Sequence, residues 1–112
     1  MTLPPIEILK SVDDLEAVAE ASQKEPVLLF KHSMTCPFSA RAQEQFVEVE
    51  GIPRYALTVQ YAKDISEAVA ERFSTEHASP QLLIIKDGEV IQNLYRDEIQ
   101  TEAVEAFVAL AK

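Results

Sequence analysis

Three short apolar runs constrain the fold of this chain most strongly, because each follows a segment whose apolar residues are spaced as in a helix. The runs are residues 27–30, 55–59 and 81–85. A strand that is apolar on both faces is typical of a parallel sheet covered by helices. Strands that alternate with helices also need crossover connections, so the sequence predicts an α/β fold with a central sheet.

Turn and cap signals extend this pattern along the chain. We predict strands at residues 6–9, 27–30, 55–59, 81–85 and 90–95, and helices that begin near Ser11, Pro37, Asp64 and Thr101. Ser11 with Asp14 resembles a capping box, Asp64 and Thr101 are candidate N-caps, and Asp87-Gly88 is a strong hairpin signal. The order β-α-β-α-β-α-β-β-α fits one domain, residues 1–112, with a central mixed sheet flanked by helices.

Each predicted helix carries an apolar face that can cover the sheet. The faces are Val12, Leu15, Val18, Ala19 and Ser22; Ala40, Ala42 and Phe46 with Val47 or Val49; Ile65, Ala68, Val69 and Phe73; and Val104, Phe107, Val108 and Ala111. Spacings of three and four residues place each set on one side of its helix.

Charge and hydropathy argue against several functions. The 112 residues include ten Lys and Arg against nineteen Asp and Glu, a formal charge of −9 that opposes binding to nucleic acid or an anionic membrane surface. No apolar run approaches the ~20 residues of a membrane-spanning helix, and residues 1–5 lack the basic-then-apolar order of a secretory signal. We therefore expect a cytoplasmic protein without nucleic-acid or membrane partners.

The single cysteine, Cys36, limits the chemistry further. One cysteine forms no internal disulfide, and one cysteine with two separated histidines, His32 and His77, is a weak basis for a zinc site of about four ligands. We therefore expect a reducing compartment, no bound metal and no tightly bound cofactor. No feature of the sequence favours a particular oligomeric state.

Cys36 lies in a locally basic segment of this acidic chain. Residues 31–41 contain Lys31, His32 and Arg41 but no acid, and Pro37 follows the cysteine. Proline is favoured at the first helical position, so Cys36 is predicted at a strand–helix junction. The helix amino end favours an anion, and thiols there have their pKa lowered from ~8.5 to between ~3.5 and ~7.5. A reactive thiolate is one interpretation, and a small buried hydrophobic residue is the other.

The residues around the thiol each have a structural and a functional interpretation. His32 ends the predicted central strand, and it is a hydrogen-bonded structural residue, which is the favoured interpretation, or an acid–base group near the sulfur. Lys31 and Arg41 solvate their surface or attract the thiolate electrostatically. Thr35 caps the helix or lines the pocket. Ser39 is an exposed residue of the first helical turn or forms a hydrogen bond with the sulfur.

Two motifs identify a resemblance to a known family. Residues 32–39 read HSMTCPFS, and His77-x-Ser79-Pro80-Gln81 precedes a Leu-Leu-Ile-Ile strand. Both motifs, and the element order of the thioredoxin fold, resemble the monothiol bacilliredoxins, small cytosolic proteins of bacteria whose low-molecular-weight thiol is bacillithiol. The resemblance covers essentially the whole chain. The family typically carries Ile where this chain has Phe38.

The resemblance implies a function for the motif residues. Cys36 would attack the mixed disulfide between bacillithiol and a client protein, free the client and take the bacillithiol onto itself. Ser39 stands where dithiol redoxins have a second cysteine, so an outside thiol would complete the reaction. Pro80 would be a cis-proline that exposes the backbone of Ser79 to the substrate and keeps metal away from the thiolate. The supporting residues of the site would be Thr35, Pro37, Phe38, Ser39, Ser79 and Pro80.

Two alternatives predict other functions. A monothiol glutaredoxin that carries an iron–sulfur cluster shares Phe-Ser at positions 38–39 but has glycine where this chain has Pro37. Gly51 and Gly88 also do not form the paired-glycine segment with which glutaredoxins hold glutathione. A redox-inert thioredoxin-like binding module would instead use the Ser79-Pro80 region as a docking groove and would keep its function without the thiol.

Overall fold

The computed structural model describes residues 6–112, so the interpretation of residues 1–5 lies outside the described part. The elements alternate in the predicted order. The strands are β1 (Glu7–Ile8), β2 (Val27–His32), β3 (Arg54–Thr58), β4 (Gln81–Lys86) and β5 (Glu89–Tyr95), and the helices are α1 (Asp14–Lys24), α2 (Pro37–Val47), α3 (Lys63–Arg72) and α4 (Thr101–Ala111). A short 3-10 helix, Arg96–Glu98, was not predicted and connects β5 to α4.

The strands form one mixed sheet in the order β1-β3-β2-β4-β5. β1, β3 and β2 are parallel, whereas β4 runs antiparallel to both β2 and β5. His32 pairs with Thr58, and Gln81 pairs with Tyr95, at the same end of the sheet. The carboxyl ends of β2, β3 and β5 therefore meet the start of β4 at one edge, which we call the site edge.

Both faces of the sheet are covered by helices, as the apolar runs predict. One core lies under α1 and α3 and includes Leu15, Val18, Val27, Leu29, Leu57, Ile65, Val69 and Leu83. The other lies under α2 and α4 and includes Leu28, Phe30, Ala42, Phe46, Leu82, Ile84, Val104 and Val108. Two residues assigned to the apolar faces are exposed, since Val12 precedes α1 and Ala40 lies on the solvent side of α2.

The predicted helix caps differ from the observed ones. The carboxylate of Asp14 accepts the backbone N–H groups of Ser11 at 3.0 Å and Lys10 at 2.7 Å, so half of the expected capping box forms. Asp64 and Thr101 are not caps, because each lies inside the first turn of its helix. The Thr101 hydroxyl instead donates to the Gln45 carbonyl at 2.8 Å and ties α4 to α2.

The hairpin between β4 and β5 is confirmed. Asp87 and Gly88 both have positive φ, 55° and 77°, which is the backbone of a type I′ turn. Among residues 6–112, no helix combines the length and the apolar character that crossing a membrane requires.

Candidate active site

Cys36 lies at the site edge, where β2 ends and α2 begins. It is the N-cap of α2, with an extended backbone, and Pro37 is the first helical residue, as predicted. The first turn of α2 contains no acid, and the Ser39 N–H donates to the Cys36 carbonyl at 3.0 Å. The cysteine is free and half-buried, so it is not a fully buried hydrophobic residue. A thiolate at this position faces the positive end of the helix dipole.

Gln60 fixes the segment that precedes the cysteine. Its Oε1 accepts the Met34 N–H at 3.1 Å, and its Nε2 donates to Ser33 Oγ at 2.9 Å and to Thr35 Oγ1 at 3.4 Å. Thr35 therefore does not cap α2, which has no side-chain cap at all. The hydroxyl of Thr35 contributes to the hydrogen-bonded loop between β2 and Cys36.

Ser39 is fully buried, which contradicts its interpretation as an exposed serine. Its Oγ accepts the backbone N–H of Ser33 at 2.9 Å. The first turn of α2 is thereby joined to the loop that leads into it. Ser39 holds Cys36 in place through the backbone, because the cysteine lies between the two bonded residues.

Phe38 follows Cys36 in the first turn of α2, and Arg96 links it to the Ser79-Pro80 segment. The Ser79–Pro80 peptide bond is cis, as the resemblance implied. The Phe38 ring is 38% exposed, and the guanidinium of Arg96 lies over it at 5.1 Å from the centroid. The Arg96 N–H donates to the Pro80 carbonyl at 3.4 Å. Ser79 Oγ is buried without a hydrogen-bond partner among residues 6–112.

His32 is not the hydrogen-bonded residue that we expected. Its Nδ1 is buried and has no partner in the described part of the chain, and its ring packs at 5.9 Å from that of Phe30. Burial lowers the pKa of His32 below its usual 6.5, so the ring is neutral at pH 7. A neutral imidazole adds no positive charge to the site.

Lys31 is fully buried, which contradicts its interpretation as a surface cation. Its side chain lies on the sheet face that α1 and α3 cover, whereas α2 covers the other face. The Nζ lies 3.0 Å from His77 Nδ1 and donates to the Ser66 carbonyl at 3.3 Å. The Lys31 charge thus lies on the face of the sheet opposite α2. Residues 31–41 therefore place less positive charge near the Cys36 thiol than their composition indicates.

Arg41 is exposed on α2, in agreement with its interpretation as a solvated residue. It forms an ion pair with Asp97 at 3.7 Å, and both side chains are mostly in solvent. Such pairs contribute about 0–1 kcal/mol to stability. The partner carboxylate also offsets the charge that Arg41 presents to the site.

Comparison with known proteins agrees with this geometry. Residues 7–104 match the family model described as monothiol bacilliredoxin BrxC. The chain belongs to the monothiol bacilliredoxin family. This bacilliredoxin is therefore a thiol oxidoreductase of the thioredoxin fold.

Solved structures confirm the fold of the bacilliredoxin. A thioredoxin-fold protein to which oxidoreductase activity is ascribed is 32% identical, with a TM-score of 0.82 over 90% of this chain and 91% of that one. Thioredoxin from Malassezia sympodialis is 14% identical, with a TM-score of 0.74 over 99% and 95% of the two chains. Thioredoxin from Schistosoma mansoni is 17% identical, with a TM-score of 0.70 over 97% and 100%. The thioredoxins show the fold alone.

Two residues of the bacilliredoxin site, Gln60 and Arg96, were missed at the sequence level. Gln60 follows the end of β3 closely, and the register of β2 and β3 places that end beside His32. Arg96 follows β5, whose last residue pairs with the start of β4. Sheet topology is the signal for both, because side chains at strand ends on one edge converge. Within residues 6–112, no three His, Cys, Asp or Glu side chains are grouped as metal ligands.

Proposed function

We propose that this protein removes bacillithiol from S-bacillithiolated client proteins in the cytoplasm, through a mixed disulfide between Cys36 and bacillithiol. The observation that carries the proposal is the half-buried Cys36 at the N-cap of α2, in a chain of the monothiol bacilliredoxin family. Bacillithiol is then a co-substrate, and the clients are the protein partners.

The first step is a thiol–disulfide exchange. The Cys36 thiolate attacks the bacillithiol sulfur of the client's mixed disulfide, forms a new S–S bond and expels the client cysteine as a thiolate. That thiolate takes a proton from water. The positive end of the α2 dipole, and the absence of an acid from the first turn, support stabilisation of the attacking anion.

The second step needs an outside thiol, because Cys36 is the only cysteine of the chain. A thiolate of free bacillithiol, or of a partner redoxin, attacks the mixed disulfide and releases Cys36. With free bacillithiol the product is bacillithiol disulfide, so atoms and electrons balance over the cycle. Ser39 provides no resolving thiol, and its buried hydroxyl is bonded to Ser33 instead.

The remaining site residues would orient the substrate. Backbone groups of Ser79, which precedes the cis-proline Pro80, would pair with the client chain while its disulfide reacts at Cys36. Phe38 offers an apolar surface that is partly exposed beside the sulfur. Thr35 and Pro37 would hold the cysteine loop and the helix start in position.

Intact-mass spectrometry tests the proposal directly. The reduced protein is incubated with bacillithiol disulfide or with a bacillithiolated peptide, and its mass is recorded. We expect one bacillithiol adduct on the wild type, none on Cys36→Ser, and loss of the adduct in excess bacillithiol. The freed peptide thiol should appear in step with the adduct.

Other outcomes would identify the alternatives. Absence of an adduct on the wild type, with partner binding retained by Cys36→Ser, would indicate a redox-inert binding module. A coloured protein with cluster absorption that Cys36→Ser abolishes would indicate an iron–sulfur carrier. Either result would refute the de-bacillithiolation proposal.

A further inference from the structure

Arg96 connects Phe38, in the first turn of α2 after Cys36, to the Ser79-Pro80 segment. Its backbone N–H donates to the Pro80 carbonyl, and its guanidinium covers the Phe38 ring at 5.1 Å. The residue has a φ of 46°, in the left-handed region that a side chain of this size rarely adopts. The Arg96 side chain lies over Phe38, in the first turn of α2.

Arg96 lines two grooves that meet at the end of β5. One groove is lined by Ser79, Pro80 and Tyr95, and the other by Arg41 and Asp97. Arg96 is exposed and takes part in none of the ion pairs formed within residues 6–112. By contrast, Arg72 stacks on Phe73 in a similar way but is paired with Glu16 at 3.3 Å.

The net negative charge of the protein opposes the approach of bacillithiol, whose carboxylates are also negative. Binding of these carboxylates therefore requires a cation near the site. The chain carries a formal charge of −9, which repels the carboxylates of bacillithiol. Lys31 is buried behind the sheet, His32 is neutral at pH 7 and Arg41 is paired with Asp97. Among the basic residues considered for the site, Arg96 is left as the cation without a carboxylate partner.

We propose that Arg96 determines specificity for the anionic low-molecular-weight thiol, by binding a bacillithiol carboxylate while the sulfur reacts at Cys36. The inference rests on the proposed function and adds the group that recognises the non-reacting part of the substrate. The guanidinium geometry suits a carboxylate, because its N–H groups donate in parallel. Arg96 takes no part in the exchange of disulfide bonds.

The test compares an anionic with a neutral disulfide. The second-order rate of adduct formation on Cys36 is measured with bacillithiol disulfide and with hydroxyethyl disulfide, for the wild type, Arg96→Gln, Arg96→Lys and Arg72→Gln. We expect Arg96→Gln to slow the reaction with bacillithiol disulfide about tenfold and leave that with hydroxyethyl disulfide unchanged, the effect of one charge-assisted hydrogen bond. Arg96→Lys should recover part of the loss, and Arg72→Gln should match the wild type.

Salt provides a second readout that a purely structural role would not change. The wild-type rate with bacillithiol disulfide should fall between low and high ionic strength, and the Arg96→Gln rate should fall less. Equal slowing of both disulfides by Arg96→Gln, or no slowing, would overturn the inference and leave the proposed function intact. A wild type that reacts with hydroxyethyl disulfide but not with bacillithiol disulfide would overturn the proposed function and this inference together.

Discussion

The Nζ of the buried Lys31 lies 3.0 Å from Nδ1 of the exposed His77, on the side of the sheet away from α2. Lys31 is fully buried, and the Ser66 hydroxyl lies 3.0 Å from the same histidine nitrogen. The three side chains join β2 and α3 to the loop that leads to Ser79-Pro80. This partly buried polar cluster therefore anchors the loop that leads to Ser79-Pro80.

The position of the proton in this pair follows from burial. Burial lowers the pKa of Lys31 from 10.5 to about 8, so the amine is still protonated at pH 7. Burial and the Lys31 charge lower the pKa of His77, and Glu67 opposes that shift. His77 is thus neutral at pH 7, and its Nδ1 accepts from the Lys31 ammonium.

Replacement of Lys31 by Met should change how stability depends on pH. Folded Lys31 loses its proton near pH 8 and unfolded lysine near 10.5, so the unfolded state binds more protons between these values. The wild type should therefore gain stability relative to Lys31→Met as pH rises through this window, by up to about 3 kcal/mol. Urea unfolding at several pH values measures this difference. Lys24→Met, at an exposed lysine, is the control, and a flat difference for Lys31→Met would contradict the prediction.

The two histidines should titrate separately in NMR spectra. Burial lowers the pKa of both His32 and His77, so each ring resonance should have its midpoint below 6.5. In Lys31→Met the midpoint of His77 should move upward, because a positive charge 3.0 Å away is removed. The midpoint of His32 serves as the internal control and should stay in place. An unmoved His77 midpoint would show that the two groups are not coupled.

The fold could be predicted because the apolar runs and turn signals are local. Asp87-Gly88 fixed the hairpin, and Pro37 marked the start of α2. The apolar run at residues 27–30 marked the core of β2, and His32 was expected at the end of this strand, where β2 does end. Lys31 and His32 are polar, yet Lys31 pairs with Gln81 and His32 with Thr58 in the sheet.

The position of the thiol could also be predicted, but the roles of its neighbours could not. Cys36 before Pro37 is a local signal for a helix start. The partners of Lys31 lie 35 and 46 residues away along the chain, so its burial is a property of the folded state. Likewise, the sequence alone favours an exposed Ser39, because the hydrogen bond from the Ser33 N–H to its hydroxyl forms only in the folded protein.

Removal of the Ser39 hydroxyl should affect both stability and reactivity. In Ser39→Ala the Ser33 N–H loses its acceptor, which should cost about 1–3 kcal/mol and loosen the loop around Cys36. Ser22→Ala is the matched control, because Ser22 is equally buried and its Oγ accepts the Gly88 N–H at 2.8 Å. Denaturation should show a similar loss in both variants, and the rate of adduct formation should change in Ser39→Ala alone. Equal rates in the two variants would refute a positioning role for Ser39.

A second thiol at position 39 should convert the protein from monothiol to dithiol chemistry. Residues 36 and 39 lie three apart at the start of α2, a spacing at which helical side chains are neighbours within reach of a disulfide. In Ser39→Cys, the new thiol should attack the Cys36–bacillithiol bond and release bacillithiol. Mass spectrometry after treatment with bacillithiol disulfide should then show the loss of two hydrogens in place of an adduct. Ser22→Cys, which puts a buried thiol far from α2, should keep the adduct. A stable adduct on Ser39→Cys would show that the two positions are not in reach of each other.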